Sequence, residues 1–236
     1  MTSAPPAKRL VCARCLRSQG GCICAWITPV AHEVEVLILQ HPLEVDNPKG
    51  SARLLHLSLP HSRMVTGEVF AESTLQALLT EPFDPQASDP RPKRAVLLYP
   101  DTPQDQALGM PAPPLLPPDW LGAPSSLRLI VLDGTWRKSR KMLYLHPLLQ
   151  QLPRLPLRNM PASHYLIRQA HRPDQRSTLE ATCAALMQLE GRLEPFQPLL
   201  TAFDGFVAQQ LGARLRGAGR DQVPPDAGED AVKFEY

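Results

Sequence analysis

A carboxylate, a glycine, a hydroxyl and an indole follow one another in Asp133-Gly134-Thr135-Trp136, directly after the apolar run LRLIVL at 127 to 132. The run predicts a strand, and the basic segment that follows Trp136 predicts a helix. Polar groups at such a turn lie at the carboxyl edge of a sheet, where α/β proteins bind ligands. A carboxylate there can accept a proton or a hydrogen bond, and glycine lets the backbone approach a ligand closely. The alternative is that Asp133 or Thr135 only caps the helix.

A second set of reactive residues lies near the amino terminus, in CARCLRSQGGCIC at 12 to 24. Cys12 and Cys15 form a C-x-x-C pair, and Cys22 and Cys24 form a C-x-C pair. Thiolates at these spacings can converge on one tetrahedral Zn²⁺, which predicts a structural metal site. Disulfides are the alternative, and we disfavour them because no secretory signal precedes the cluster. Cys183 lies in an apolar helical pattern and is predicted to be a packed core thiol.

The elements that must position these residues alternate between strands and helices. Strands are predicted at VEVLIL (34 to 39), MVTGEV (64 to 69), AVLLY (95 to 99) and LRLIVLD (127 to 133). Helical periodicity is present at 52 to 59, 74 to 79, 137 to 149, 178 to 189 and 199 to 215. Strands with such continuous apolar character are normally covered on both faces, so we expect an α/β fold with a mostly parallel sheet and helices on both faces.

The length of 236 residues suits one α/β core with a small appendage. We expect a zinc-binding segment at 1 to 30, a catalytic domain at 31 to 216 and a flexible acidic tail at 217 to 236. The 27 prolines concentrate at 81 to 94 and 103 to 126, which are predicted loops. The apolar runs are too short to cross a bilayer, so we expect a cytoplasmic protein without a membrane partner. The oligomeric state is left open, with a monomer favoured.

Positive charge is concentrated in the middle of the chain, although the formal net charge is only +2. This distribution suits a polyanion such as RNA, whereas solvated helix faces are the alternative explanation. The candidate RNA-binding residues are Arg137, Lys138, Arg140, Lys141, Arg154, Arg168 and Arg172.

Six ordered motifs, spread over residues 10 to 210, resemble the DTW-domain family of tRNA-uridine aminocarboxypropyltransferases, which are related to the knotted SPOUT methyltransferases. These motifs are the cysteine cluster, LILQHPLE (37 to 44), LLYP (97 to 100), LDGTW (132 to 136), LPRLPL (152 to 157) and YLIRQAHRPDQRSTLEA (165 to 181). One departure is that a proline often found after the second cysteine in the family is absent here.

The resemblance implies a SPOUT-like fold with a C-terminal knot and a small N-terminal zinc knuckle. It also implies transfer of the 3-amino-3-carboxypropyl group of S-adenosylmethionine to the ring nitrogen N3 of a uridine in tRNA. Asp133 is then the candidate catalytic residue, acting as a base or as a group that orients uracil. The candidate cofactor-binding residues are Leu98, Tyr99, Pro100, Leu132, Gly134, Thr135, Trp136, Ser177, Thr178 and Glu180.

Several of these residues have a structural alternative. Ser177 and Glu180 form a capping box pattern before an apolar helix, and we favour that role, although the amides of a helix start also suit the methionyl carboxylate. A turn after the first predicted strand supplies secondary candidates, of which the histidine is more typically structural. The candidates in this turn are Gln40, His41 and Glu44. Further secondary candidates lie at or near the next helix start, which suits a phosphate or a carboxylate: Lys49, Ser51 and Arg53. Other functions that fit the sequence are RNA methylation with the same cofactor and a noncatalytic, zinc-bearing RNA adapter.

Overall fold

The computed structural model describes residues 10–84, 91–100, 109–157 and 177–218, with side chains described as far as residue 212. Within these ranges the chain forms four strands, six α-helices and several short 3₁₀ turns. The strands are β1 (Glu35–Gln40), β2 (Ser62–Thr66), β3 (Arg94–Leu97) and β4 (Leu127–Asp133). The helices are α1 (Ala52–Ser58), α2 (Glu72–Thr80), α3 (Trp136–Leu145), α4 (Pro147–Gln150), α5 (Thr178–Glu190) and α6 (Gln197–Ala218).

The four strands form one parallel sheet in the order β2-β1-β4-β3, which confirms the predicted α/β class. Side chains alternate between the two faces of the sheet, as the strand period requires. Val36 and Ile38 of β1 pack on one face with α1, α5 and α6, whereas Leu37 and Leu39 pack on the other with α2, α3 and α4. The sheet is therefore covered by helices on both faces, and all the parallel strands present their carboxyl ends at one edge.

The segment LPRLPL extends this sheet beyond β3. The amide of Leu97 donates to the carbonyl of Pro153 over 2.9 Å, and the amide of Leu155 donates to the carbonyl of Leu97 over 2.8 Å. Arg154 and Leu97 form an isolated parallel bridge. The outer edge of β3 is thus covered by backbone that follows α4.

Two predicted elements differ from the structure. The helix expected at 137 to 149 is divided into α3 and α4, because His146 adopts extended backbone dihedrals before Pro147, and proline disfavours helical geometry in the preceding residue. The strand expected at 64 to 69 is instead β2, at 62 to 66. It ends before Gly67, whose amide donates to the carbonyl of Gln40 over 3.0 Å.

The segment at 12 to 26, which carries the four clustered cysteines and is called the knuckle below, packs on α6. The indole of Trp26 lies where a side chain at Gly205 would lie, since a Cβ on that glycine would overlap the ring. Gln209 accepts a hydrogen bond from the Trp26 indole and donates to the carbonyl of Cys22 over 3.0 Å. The knuckle is therefore packed against the helical layer on one face of the sheet.

Some expectations fall on residues outside the described ranges. The chain at 158 to 176, which precedes α5, is among them, so the C-terminal knot stays a prediction. The same holds for the division into domains and for the tail after residue 218. In the described part of the chain, no helix is both long enough and apolar enough to cross a bilayer.

His32 generates a prediction about pH and stability. Its Nδ1 lies 2.8 Å from the carbonyl of Val34, and its Nε2 accepts the amide of His61 over 3.3 Å, so the ring is bonded in its neutral form. Burial lowers the pKa of His32 below its ordinary value of 6.5, and the unfolded chain therefore binds a proton more readily than the folded chain. The stabilisation is complete above the unfolded pKa and is lost as the pH falls below it.

We expect the free energy of unfolding of the wild type to decrease as the pH is lowered from about 7.5 to about 5.5. Urea denaturation at each pH measures this free energy. His32→Asn should lose part of this pH dependence, because asparagine retains polar atoms but does not titrate. An identical pH dependence in the wild type and the variant would contradict this account of His32.

Candidate active site

Asp133 is held between two hydrogen-bond donors at the carboxyl edge of the sheet. It ends β4, and its register partner is Gln40, which ends β1. Gln40 Nε2 donates to Asp133 Oδ2 over 2.9 Å, and Thr178 Oγ1, from the first residue of α5, donates to Asp133 Oδ1 over 2.7 Å. Asp133 is only 5% exposed. Donors on both oxygens stabilise negative charge on this carboxylate.

The tetrapeptide 133 to 136 passes from the interior to the surface. Asp133 is buried and Gly134 half-buried, whereas Thr135 is exposed and Trp136 is 48% exposed. A Cβ on Gly134 would lie 3.1 Å from the Cβ of Lys138, so a larger residue would crowd the first turn of α3. Thr135 occupies the N-cap position of α3, but its side chain makes no capping hydrogen bond. The capping alternative is thus not supported for Thr135.

The end of β3 brings a second aromatic residue to the same edge. Tyr99 is 3% exposed, and its ring stacks against Trp136 with centroids 5.2 Å apart and an interplanar angle of 21°. The guanidinium of Arg154 lies 5.1 Å from the Tyr99 centroid, and its Nη1 donates to the carbonyl of Pro100 over 3.4 Å. The amide of Leu98 continues the pairing with β4 by donating to Ile130. The predicted residues 98 to 100 and 132 to 136 are therefore neighbours.

Arg154 occupies a different position from the one expected of an RNA contact. It is 5% exposed, and its guanidinium lies inside the molecule against Tyr99. Its observed contacts support the loop at 98 to 100. Arg168 and Arg172, which were predicted to bind RNA, lie outside the described residues.

Two of the predicted RNA-binding lysines on α3 are ion-paired. Lys138 Nζ lies 2.7 Å from an oxygen of buried Glu44, and Lys141 Nζ lies 3.0 Å from an oxygen of Glu68. Arg137, in contrast, is exposed. The sequence analysis missed Glu68, because an acidic residue beyond a strand carries no distinctive signal. Hydrogen bonds from Lys141 and His41 lower the pKa of Glu68.

His41 has a structural role, as sequence reasoning favoured. Its Nδ1 accepts the amide of Leu43 over 3.1 Å, and its Nε2 therefore carries the proton that faces Glu68, 2.9 Å away. Both ring nitrogens are engaged, so His41 fixes the turn after β1 and is not positioned as a base.

Adjacent residues at the start of α5 have different contacts: some cap the helix, and one contacts Asp133. Ser177 and Glu180 form the predicted capping box, with hydrogen bonds of 3.2 and 2.9 Å. Ser51 Oγ accepts the amide of Leu179 over 3.1 Å. Two amides at this helix start are thus already satisfied, which weakens the case for a bound carboxylate there. Thr178, between the capping residues, is the one that contacts Asp133.

The four clustered cysteines fit a tetrahedral metal ion. Their Sγ atoms all lie within 4.8 Å of one another, with Cys12 and Cys24 3.6 Å apart and Cys15 and Cys22 3.8 Å apart. Zinc bonded to four thiolates at about 2.3 Å requires sulfur atoms about 3.8 Å apart. Hydrogen bonds from the backbone of Cys15 and Arg14 lower the pKa of the Cys12 thiol to about 6. All five cysteines are free thiols, and Cys183 is fully buried in the core, as predicted.

Arg17 connects the knuckle to the turn before α1. Its guanidinium donates to the carbonyls of Pro48 and Gly50, each over 2.6 Å, and lies 5.3 Å from the Phe206 centroid. The next residue after Gly50 is Ser51, which bonds the start of α5. A continuous set of contacts therefore runs from the cysteine cluster to the neighbourhood of Asp133.

The fold and the site define an α/β protein whose parallel sheet carries a buried carboxylate and an aromatic stack at its carboxyl edge, with a four-cysteine knuckle beside it. The sequence profile of the DTW domain matches residues 9–211, and the chain belongs to the DTW domain family. The resemblance found in the sequence is thus confirmed.

Three proteins that are similar to this chain share the same name. The chain is 28% identical over 219 residues to a tRNA-uridine aminocarboxypropyltransferase 2 of Macaca fascicularis, covering 90% of this chain and 68% of that protein. It is also 28% identical to the proteins of the same name from Drosophila melanogaster and Mus musculus. These alignments cover 89% of this chain in both cases, and 79% and 67% of the relatives. No solved structure matches the chain significantly.

The cysteine geometry predicts that each chain binds one zinc ion. Elemental analysis of the purified protein measures the metal content. Cys15→Ser should lose the metal, because a closed four-thiolate site needs every ligand. Cys183→Ala is the matched control, since it removes a buried thiol outside the cluster and should leave the metal content unchanged. Wild-type protein that contains no metal after purification without chelators would contradict the site.

Proposed function

We propose that this chain transfers the 3-amino-3-carboxypropyl group of S-adenosylmethionine to N3 of a uridine in tRNA. The observation that carries the proposal is the buried, hydrogen-bonded carboxylate of Asp133, located two residues from the exposed Thr135, in the same turn as the Trp136 that stacks on Tyr99. Membership of the DTW domain family and the names of the similar proteins support tRNA uridine as the substrate.

The reaction forms the bond from N3 to the methionine γ-carbon and breaks two bonds, the one from that carbon to sulfur and the N3–H bond. N3 of uracil attacks the γ-carbon of the methionine chain, the bond from that carbon to the sulfonium breaks, and methylthioadenosine leaves with the electron pair. The N3 proton is lost, so the positive charge of the sulfonium is balanced by a released proton. Because three carbons are bonded to the sulfur, the outcome depends on which one is aligned with N3.

We assign Asp133 the role of accepting a hydrogen bond from the uracil imide. Its oxygens already accept bonds from Gln40 and Thr178, so the carboxylate is fixed in orientation and its negative charge is stabilised. A fixed anion can orient the base for attack and favour the approach of the sulfonium. The loop at 98 to 100 and residues 132 to 136 are the proposed walls of the cofactor site, with the half-exposed indole of Trp136 available to a ring.

The test is incubation with unmodified tRNA and S-adenosylmethionine labelled in its methionine chain. We expect labelled tRNA and methylthioadenosine. Unlabelled tRNA with a methyl-sized mass increase and S-adenosylhomocysteine would mean methylation instead. Binding of tRNA with no product and no binding of S-adenosylmethionine would mean an RNA adapter, and either result would overturn the proposal.

Asp133→Asn should lower the turnover rate at least about a hundredfold, because it removes the charge while retaining the shape of the side chain. The measurement is single-turnover product formation with saturating tRNA. A rate within about threefold of the wild type would exclude a role for the carboxylate in the reaction.

Thr178→Val tests the positioning of Asp133. Losing a hydrogen bond to a charged group costs about 1.5–3 kcal/mol, which corresponds to a rate loss of about 10- to 150-fold if the bond acts in the transition state. Thr182→Val is the matched control, because Thr182 lies one turn further along α5 and donates only to the carbonyl of Thr178, over 2.7 Å. Equal effects of the two variants would indicate general damage to α5.

A further inference from the structure

The outward face of α3 carries an unusual combination of side chains. Its buried side consists of Ser139, Met142 and Leu143. The opposite side lines a surface depression of about 450 Å³. The residues that line this depression are Trp136, Arg137, Arg140, Lys141 and Tyr144.

The aromatic residues on this face are exposed to a degree that core packing does not explain. Trp136 is 48% exposed and Tyr144 is 54% exposed, although each contains a large apolar ring. The solvent side of an amphipathic helix normally carries charged and polar residues. Positions 137, 140, 141 and 144 lie on one helical stripe, so three basic side chains and one aromatic ring share the same surface.

Basic side chains interleaved with exposed aromatic rings are typical of surfaces that bind single-stranded nucleic acid. Stacking of a base on an aromatic ring needs an unpaired base, because the faces of bases in a duplex are covered by their neighbours. Among the residues that the structure describes, none of those that line the depression is acidic, which suits the phosphate backbone of RNA. Lys141 is held over this surface by Glu68, and Arg137 is exposed.

We infer that the outward face of α3 binds an unpaired segment of the RNA substrate, with Tyr144 stacking on a nucleobase that flanks the target uridine. The inference rests on the proposed function for the identity of the RNA as tRNA. From Trp136 to Tyr144 the helix rises about 12 Å, a length that a few nucleotides span. A segment bound here would extend along α3 from the turn that follows Asp133.

The direct test is the affinity of unmodified tRNA, measured without S-adenosylmethionine. Tyr144→Ala should weaken binding about tenfold, with an unchanged dependence on salt, whereas Tyr144→Phe should bind within about twofold of the wild type. Arg137→Gln should reduce the slope of log K against log salt by about one. Leu193→Ala, at a side chain 58% exposed beyond α5, and Arg63→Gln, at an exposed residue of β2, are the matched controls and should change neither quantity.

A second measurement compares a single-stranded uridine-containing oligonucleotide with the duplex that it forms with its complement. The single strand should bind more tightly, and only its binding should depend on Tyr144. Equal affinity for strand and duplex, or wild-type tRNA affinity in Tyr144→Ala, would overturn the inference even if the chain transfers the aminocarboxypropyl group. Conversely, Tyr144-dependent binding without any aminocarboxypropyl product would overturn the proposed function and leave this inference intact.

Discussion

The hydrogen bonding of one buried carboxylate constrains the rest of the structure. A carboxyl group that is only 5% exposed is costly to bury without hydrogen-bond partners, and Gln40 and Thr178 each donate a hydrogen bond to Asp133. These partners lie 93 and 45 residues away in sequence. The register of β1 against β4 and the position of α5 on the sheet are therefore both tied to the same carboxylate, and small displacements of either element would alter its orientation.

Support for this arrangement comes from residues that do not contact Asp133. Ser51 accepts a hydrogen bond from the amide of the second residue of α5, and Arg17 donates to two carbonyls of the turn that precedes Ser51. The cysteine cluster fixes the segment that carries Arg17. A metal ion held by these four cysteines would thus stiffen the backbone that supports Thr178, the donor to Asp133, without any chemistry of its own.

Features specified by short segments could be predicted from the sequence. The spacing of the four cysteines predicts their convergence, the capping box is encoded by Ser177 and Glu180, and the apolar runs of β1 and β4 predict buried parallel strands. The sequence alone did not predict that Thr178 contacts Asp133 while its neighbours Ser177 and Glu180 cap the helix. That bond depends on where α5 docks, which is decided by packing over the whole face of the sheet. Arg154 is likewise a charged residue that would be expected at the surface. It is buried because its backbone pairs with Leu97 at the edge of β3.

The contact between Trp26 and Gly205 has a consequence for how the protein forms. The ribosome makes the knuckle before α6, and the Trp26 indole bonds to Gln209 across a separation of 183 residues. Contacts so distant in sequence stabilise the fold only after the entropy of closing a long loop has been overcome. The clustered thiols are consequently without their docking surface until α6 has been synthesised.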